Sequence, residues 1–147
     1  MGITFLLSML PIIELRGAIP VGITQGLSVS QAFTIAIIGN LLPVPLIIIF
    51  IRKIFTWLRK KSIGLNNLVI RMEKKAESKK KIIEKSEWWG LVLIVAIPLP
   101  GTGAWTGSLV AAMLDMRLSR AFPAIALGVT IAGIIVMFIT YGACLIV

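Results

Sequence analysis

Two charged residues stand alone in the first third of the chain. Glu14 and Arg16 lie between Pro11 and Pro20, and no other charged side chain precedes Arg52. The flanking residues are apolar, so the pair is predicted to lie deep in a membrane, where an ionisable group is costly and is by default a functional candidate. A carboxylate there can carry a proton or contact a cation, whereas the planar guanidinium suits an anion such as phosphate. A structural ion pair that closes the bend is the alternative.

A second break in the sequence is PLPGTGAWTG, residues 98–107, which holds two prolines and three glycines. Backbone amides near Thr102 and Gly103, with the hydroxyl groups of Thr102 and Thr106, could bind an anion at the positive end of a half-helix. Close packing of backbones explains such glycines equally well. Trp105 lies inside the break and could line the same site. The GKS or GKT ending of a P-loop is absent.

Four further polar residues belong to candidate sites. Asn40 precedes two prolines that are predicted to kink an otherwise apolar helix, and its amide is predicted to face protein or water rather than lipid. Asp115, Arg117 and Arg120 follow the second break and could form a cytoplasmic gate or contact a lipid headgroup. The simpler interpretation is that these three anchor the chain at the membrane surface.

Composition excludes the common kinds of enzyme and metal chemistry. The chain has no histidine and one cysteine, Cys144, so it cannot build a thiolate or imidazole metal site, an internal disulfide, or a Cys-His or Ser-His catalytic centre. We therefore expect no enzyme activity, no metal and no cofactor. Hydrophobic residues make up 58% of the chain and the mean hydropathy is +1.00, which is typical of an integral membrane protein and not of a soluble domain.

Most of the positive charge falls in one segment. The formal net charge is +9, and 12 of the 15 basic residues lie between Arg52 and Lys85. Because apolar segments border this stretch on both sides, its partners are predicted to be anionic lipid headgroups and not nucleic acid. By the positive-inside rule residues 52–87 form a cytoplasmic loop, and the spacing of their apolar residues predicts an amphipathic helix. The chain is accordingly predicted to be a multi-pass protein of the cytoplasmic (inner) membrane.

Segment lengths predict two full crossings and two pairs of shorter elements. Residues 29–51 and 121–147 are long enough to span a bilayer and carry no charge. Residues 1–27 and 88–114 are each interrupted by a Pro/Gly break into pieces too short to span, so each is predicted to form a re-entrant hairpin. A simple kinked crossing is the alternative for residues 88–114.

The two halves repeat each other in plan. Residues 1–51 and 88–147 share the order of hairpin, break and long helix on either side of the basic loop, residues 52–87. A sparse match supports this, since Ser30, Ala32, Phe33 and Gly39 recur at the same spacing as Ser119, Ala121, Phe122 and Gly128. One crossing separates the halves, so they are expected to be inverted, as in many secondary transporters whose site lies where broken helices meet. The prediction is a single all-α membrane domain, residues 1–147, made of two inverted repeats whose breaks face one another.

The motif ELRGAIPVG, followed by a basic loop and by PLPGTGAWTG, resembles the small multidrug export protein family of prokaryotes along essentially the whole chain. That family is similar in plan to the DedA membrane proteins, which have two re-entrant hairpins and are associated with moving undecaprenyl phosphate across the bilayer. By this resemblance Glu14, Arg117 and Arg120 could correspond to the acidic residue and the arginines of DedA proteins. The chain is shorter than DedA proteins, and its spacing differs from theirs.

These features together predict a small secondary transporter, with proton coupling as an option. Its substrate would be an anionic lipid such as a polyprenyl phosphate, favoured by Arg16 and the glycine-rich break, or a lipophilic cation, favoured by Glu14 and Trp105, as in a multidrug exporter. A non-transporting membrane scaffold, with the basic helix as its working part, is the alternative from another class.

The predicted partners are membrane lipids, a small-molecule or lipid substrate, and further copies of the chain. A chain of this length is short for enclosing a pathway alone, so a homodimer or larger homo-oligomer is expected. Small residues on the last predicted helix offer a surface for packing between chains. They are Gly128 and Gly133, with Ala124 and Ala132.

Overall fold

The structure is a computed structural model that describes residues 1–83, 86–99 and 102–146. Within these ranges the chain forms eight α-helices, and no described residue lies in a strand, so the predicted all-α class is confirmed. The helices are α1 (Gly2–Met9), α2 (Glu14–Thr24), α3 (Val29–Leu41), α4 (Pro43–Lys61), α5 (Ile63–Ile83), α6 (Glu87–Ala96), α7 (Ala104–Met113) and α8 (Leu118–Ile146).

Two segments are long and apolar enough to cross a membrane. They are Val29–Ile51 and Leu118–Gly142. The first has the predicted bounds, and it consists of α3 and the beginning of α4. The second begins three residues before the predicted start at residue 121. Val147, the last residue of that prediction, lies outside the described residues.

The first crossing is interrupted near its predicted kink. Helix α3 begins with a capping box, in which the Ser28 hydroxyl accepts from the Gln31 amide and the Gln31 side chain accepts from the Ser28 amide. Helix α4 then begins at Pro43, directly after Leu42. Proline suits the first position of a helix because the amide it lacks would have no helical partner there. Leu42 keeps helical angles, with φ −60° and ψ −43°.

The first break is shorter than predicted. The sequence suggested irregular backbone from Pro11 to Pro20, but α2 begins at Glu14 and runs through both Gly17 and Pro20. A proline within a helix removes one hydrogen bond, here to the Arg16 carbonyl group. Ala18 and Ile19 are fully buried on this helix, and we attribute its continuity to that packing.

The helices beside the first break pack closely. At Gly22 of α2 an added Cβ atom would lie 3.0 Å from the Cβ of Ala32 on α3 and 3.0 Å from the Cγ2 of Thr4 on α1. Helices α1 and α2 have 8 and 11 residues, or about 12 and 16 Å at 1.5 Å per residue. Each is therefore much shorter than the roughly 30 Å hydrocarbon core of a bilayer.

The basic segment consists of two helical stretches instead of the one predicted for residues 52–87. Helix α4 carries the apolar crossing directly into basic residues and ends at Lys61. Ser62 is extended, with φ −163° and ψ 146°, and α5 follows. An ion pair between Arg59 and Glu73 joins the two helices, and Val69 of α5 is fully buried. The side chains of Ala76 and Ile83, and all of residues 84–85, lie outside the described part of this segment.

The second break is also shorter than its motif. Helix α7 begins at Ala104, so Trp105, Thr106 and Gly107 of the motif are helical. Between α6 and α7 the described residues Ile97, Pro98, Leu99, Thr102 and Gly103 are not helical. Pro100 and Gly101 lie outside the described residues. Helices α6 and α7 have ten residues each, or about 15 Å.

Helix α8 packs into the chain through its small residues. At Gly128 an added Cβ atom would lie 2.9 Å from the Val92 carbonyl oxygen, and at Gly133 it would lie 2.9 Å from the Phe33 ring. Ala124 and Ala132 are also buried. The prediction that these four residues form a surface between chains is wrong, because the chain's own helices already cover them.

The turns before α3 and α8 have the same hydrogen-bond pattern. A residue with left-handed backbone follows the preceding helix in both, Gly26 with φ 84° and Asp115 with φ 55°. The next amide donates to the carbonyl oxygen five residues earlier, Leu27 to Gly22 at 3.1 Å and Met116 to Ala111 at 3.0 Å. This is the Schellman arrangement of a helix C-terminus.

Candidate functional site

The first break ends at a strained residue. Glu14 starts α2 with φ 47°, in the left-handed region, and its amide donates to the Leu10 carbonyl oxygen at 3.0 Å. Such a conformation costs a residue other than glycine on the order of 1 kcal/mol or more and persists only where surrounding contacts enforce it. The side chain is buried, with 5% of the residue exposed. Strain and burial together fix where this carboxylate points.

The Glu14 carboxylate lies against the beginning of α7. The Trp105 amide donates to Glu14 Oε1 at 3.4 Å. Gly103, the residue before the helix, has φ 137°, and a Cβ atom there would overlap the Glu14 carboxylate. A helix N-terminus favours a negative charge. The anion predicted for this helix start is therefore, in this structure, the carboxylate of the chain's own Glu14.

Arg16, in the first half of the chain, binds residues of the second break. Its Nη1 donates to the carbonyl oxygen of Leu99, and its Nη2 donates to the carbonyl oxygen of Thr102. Nη2 also lies 3.0 Å from the Thr102 hydroxyl oxygen. The guanidinium is thus engaged by backbone of the second break, and it binds there in the two-pronged manner for which arginine is suited.

Trp105, in the second half of the chain, binds the backbone of the first half. Its indole Nε1 donates to the Met9 carbonyl oxygen at 3.0 Å, at the end of α1. Within the second break the Thr102 hydroxyl lies 2.6 Å from the Ile97 carbonyl oxygen and 2.8 Å from that of Leu99. The two breaks therefore meet, as predicted from the sequence, and each break is hydrogen-bonded to residues of the other half of the chain.

Asn40 lies on α3, which packs against α2. Helices α2 and α3 are joined by a short turn and touch at Gly22 and Ala32. Glu14 and Asn40 are each eight residues from that contact, or about 12 Å along their helix axes. Asn40 is fully buried, and neither Nδ2 nor Oδ1 of its amide has a hydrogen-bond partner among the described residues. The prediction that this amide faces away from lipid fits this burial.

Thr106 belongs to the same end of α7 as the Glu14 contact. It lies in the first turn of the helix and is 7% exposed. The structure thus brings together six of the predicted residues, which we call the break site: Glu14, Arg16, Thr102, Gly103, Trp105 and Thr106.

Asp115, Arg117 and Arg120 lie elsewhere. All three are exposed and follow the far end of α7, which is about 15 Å long. Together with Glu87 they line a cavity of about 480 Å³. These residues form a separate polar region and do not contribute to the break site.

The carbonyl groups that bind Arg16 and Trp105 were not predicted from the sequence. They belong to Leu99, Thr102 and Met9, and a backbone acceptor is the same whatever the side chain. The available signal was indirect, since breaks in helices leave carbonyl groups without intrahelical partners. A hydrogen bond from a polar side chain of one break to a backbone carbonyl group of the other break could therefore have been predicted.

A protein family model matches residues 14–135, from the Glu14 carboxylate through most of α8. The family is described as "Putative small multi-drug export protein". No curated protein and no solved structure matches the chain. The family match spans most of the sequence and includes both breaks, and two helices have the length and hydropathy of membrane spans. The chain is therefore a membrane protein that belongs to the small multidrug export protein family.

Proposed function

We propose that this chain is a small secondary transporter that exports lipophilic cations in exchange for protons, with Glu14 as the group that binds either one. The observation that carries the proposal is the buried Glu14 carboxylate at the meeting point of the two breaks. The family description supports transport as the general activity. The choice of a cation rests on how the charges in the break site are satisfied.

The two charged side chains of the break site differ in how well they are bound. Arg16 donates to two carbonyl oxygens and lies within reach of a hydroxyl. The hydrogen bond that Glu14 accepts from the described residues is the 3.4 Å contact with the Trp105 amide. A buried carboxylate needs compensation by a cation, a proton or strong hydrogen bonds. Arg16 already offsets part of the Glu14 charge through space, and the weak hydrogen bonding of this carboxylate favours a proton or a cation as its further partner.

Trp105 supports the same choice of substrate. Trp105 is partly exposed, and its backbone amide donates to the Glu14 carboxylate, so this aromatic residue belongs to the same site as the carboxylate. An aromatic face attracts organic cations. A site that holds both a carboxylate and an aromatic residue suits a large cation that has little affinity for water.

The architecture supports a transporter with two inverted, re-entrant repeats. One separation of 89 residues relates Gly26 to Asp115 at the two turns, Val29 to Leu118 at the starts of the long helices, and Glu14 to Gly103 at the breaks. The short helices α1, α2, α6 and α7 suit hairpins that enter and leave on one side. An inverted pair of such hairpins places its site near the middle of the membrane.

The contacts of Arg16 and Trp105 between the two halves of the chain suggest how access to the break site would change. Arg16 and Trp105 tie each break to the other, so the site is closed between the halves when both contacts are made. Release of one contact would open the site toward one side of the membrane. Protonation of Glu14 would remove the charge that attracts the substrate, and a proton and a cation would then alternate on the same carboxylate.

A second candidate substrate is an anionic lipid such as a polyprenyl phosphate. Arg16 and the start of α7 favour it, because both attract negative charge. An anion would have to displace the Glu14 carboxylate from α7 and the carbonyl groups from Arg16. A non-transporting scaffold that works through α4 and α5 is the remaining candidate.

Transport in proteoliposomes separates these candidates. We would compare ethidium with a fluorescent polyprenyl phosphate, with and without a pH gradient, for the wild type, Glu14→Gln and the exposed-carboxylate control Glu77→Gln. We expect ethidium movement that depends on the gradient, is lost in Glu14→Gln and is retained in Glu77→Gln. Movement of the lipid alone would support the second candidate. If folded protein moves neither compound, the transporter proposal is wrong.

A further inference from the structure

A second cavity lies where α4, α5 and α7 meet, away from the break site. Its volume is about 590 Å³. The floor is apolar and includes Ile51, Phe55 and Leu109, which are buried. The rim is charged, with Arg59 and Lys60 of α4 and Glu73 of α5. We call this the α4–α5 cavity.

The position of the α4–α5 cavity matches the boundary between lipid tails and headgroups. Ile51 is both a floor residue and the last residue of the first candidate span. Arg59 and Lys60 lie about two turns further along the same helix. A molecule in the cavity would therefore contact apolar side chains on the side of the span and basic side chains on the side of the water.

We propose that the α4–α5 cavity binds one anionic phospholipid. Its phosphate would lie between Arg59 and Lys60, and the upper part of an acyl chain would lie on Phe55 and on Met113, whose side chain is partly exposed at the cavity wall. The fork of an arginine suits phosphate, and basic residues at the membrane surface attract acidic lipids. The proposal does not depend on the transport function.

Glu73 has a definite role in this site. Its carboxylate pairs with Arg59, so it holds the guanidinium at the rim while no lipid is bound. A lipid phosphate competes with this carboxylate for the same donors. Removal of the Glu73 charge should therefore raise lipid affinity, whereas removal of Arg59 and Lys60 should lower it.

Native mass spectrometry of the purified protein tests the proposal. Phosphatidylglycerol would be titrated against phosphatidylcholine for the wild type, Glu73→Gln, Met113→Asn and the double variant Arg59→Gln/Lys60→Gln. The control is Arg71→Gln/Lys74→Gln, which removes the same charges from exposed positions of α5 that do not line the cavity. Thermal unfolding in detergent confirms that each variant is folded.

We expect one phosphatidylglycerol to be retained preferentially by the wild type. Its affinity should fall about tenfold in Arg59→Gln/Lys60→Gln, fall less in Met113→Asn, rise in Glu73→Gln and stay unchanged in the control. Equal retention of the two lipids, or an equal loss in the control, would overturn the proposal. Displacement of the lipid by millimolar inorganic phosphate would also overturn it, because the cavity would then bind a free anion and not a lipid.

Discussion

Gly103 has φ 137°, and a Cβ atom at this position would overlap the Glu14 carboxylate. Glu14 in turn has φ 47° and is buried at the start of α2. At the scale of single residues the break site thus depends on one close contact between a glycine and a strained acidic residue. A side chain at Gly103 would therefore require the Glu14 carboxylate to move.

Gly103→Ala should lower the stability of the protein. The alanine needs a backbone conformation that costs about 1–3 kcal/mol, and its Cβ would push the carboxylate away from α7. We expect a lower midpoint of thermal unfolding in detergent. Gly142→Ala is the control, since a Cβ atom there has no neighbour within 4 Å. Equal midpoints for the two variants would show that the contact is not as close as described.

Asn40→Leu separates stability from activity. The buried amide has no partner among the described residues, and an unsatisfied buried polar group costs about 1–3 kcal/mol. Leucine has the same number and branching of side-chain heavy atoms and removes that cost. We therefore expect a higher midpoint of thermal unfolding together with slower ethidium transport, because the amide is predicted to serve the transport path. A variant that is stabilised and fully active would show that Asn40 has no role in transport.

At the scale of elements, the membrane spans were the easiest parts to infer from the sequence. Charge-free runs of sufficient length predict membrane spans directly, and both predicted runs are present as helices. Helix ends were predicted less well. Pro20 and Thr106 lie in motifs that resemble long irregular breaks, yet both are helical, because packing decides whether a helix continues past such residues.

The break site was partly predictable for a related physical reason. Charged and glycine residues in apolar surroundings mark their positions as candidates, and Glu14, Arg16 and Gly103 are in contact or in neighbouring positions in the structure. Their partners were not predictable, since Arg16 and Trp105 bind backbone carbonyl groups. The α4–α5 cavity was missed because it depends on how three helices pack, and no local pattern carries that information.

The turn before α3 gives a prediction at this scale. Gly26 has φ 84°, which a β-branched residue rarely adopts and which asparagine tolerates. Gly26→Val should therefore lower the free energy of unfolding by about 1 kcal/mol or more, and with it the midpoint of thermal unfolding. Gly26→Asn should lower both by less. Because a Cβ atom at Gly26 has no neighbour within 4 Å, crowding cannot explain the difference. Equal effects of the two substitutions would contradict the Schellman turn.

At the scale of the whole molecule, the proposed inverted topology places the two turns on opposite sides of the membrane. The turn between α2 and α3 would lie outside the cell, and the turn between α7 and α8 would lie inside, with the junction of α4 and α5. The basic residues of α4 and α5 set this direction by the positive-inside rule. Whether residues 88–114 return to the same side is the feature that distinguishes a hairpin from a kinked crossing.

Cysteine labelling tests this topology. In a background that lacks Cys144, single cysteines would replace Gln25, Ser62 or Arg117, which are exposed. A membrane-impermeant maleimide should label Gln25→Cys in intact cells, and Ser62→Cys and Arg117→Cys only after permeabilisation. Labelling of Arg117→Cys in intact cells would contradict the second re-entrant hairpin and support a kinked crossing.

The homo-oligomer remains a prediction at the same scale. The small residues of α8 are covered within the chain, so a surface between chains must use other residues. Phe138, Ile139 and Tyr141 of α8 are more than half exposed, and in a membrane they face lipid or a second copy. Native mass spectrometry should give a mass of two or more chains, and a mass of one chain across detergents would contradict this expectation.

The most direct test of the proposed function is proton release when a cation binds. Tetraphenylphosphonium, which has no titratable group, would be added to purified protein in a weakly buffered detergent solution with a pH indicator. If the cation and the proton share Glu14, binding releases protons, and the affinity for the cation rises with pH. Glu14→Gln should show neither effect, while Glu77→Gln should behave as the wild type. Cation binding without proton release, or the same release from Glu14→Gln, would show that Glu14 is not the shared site.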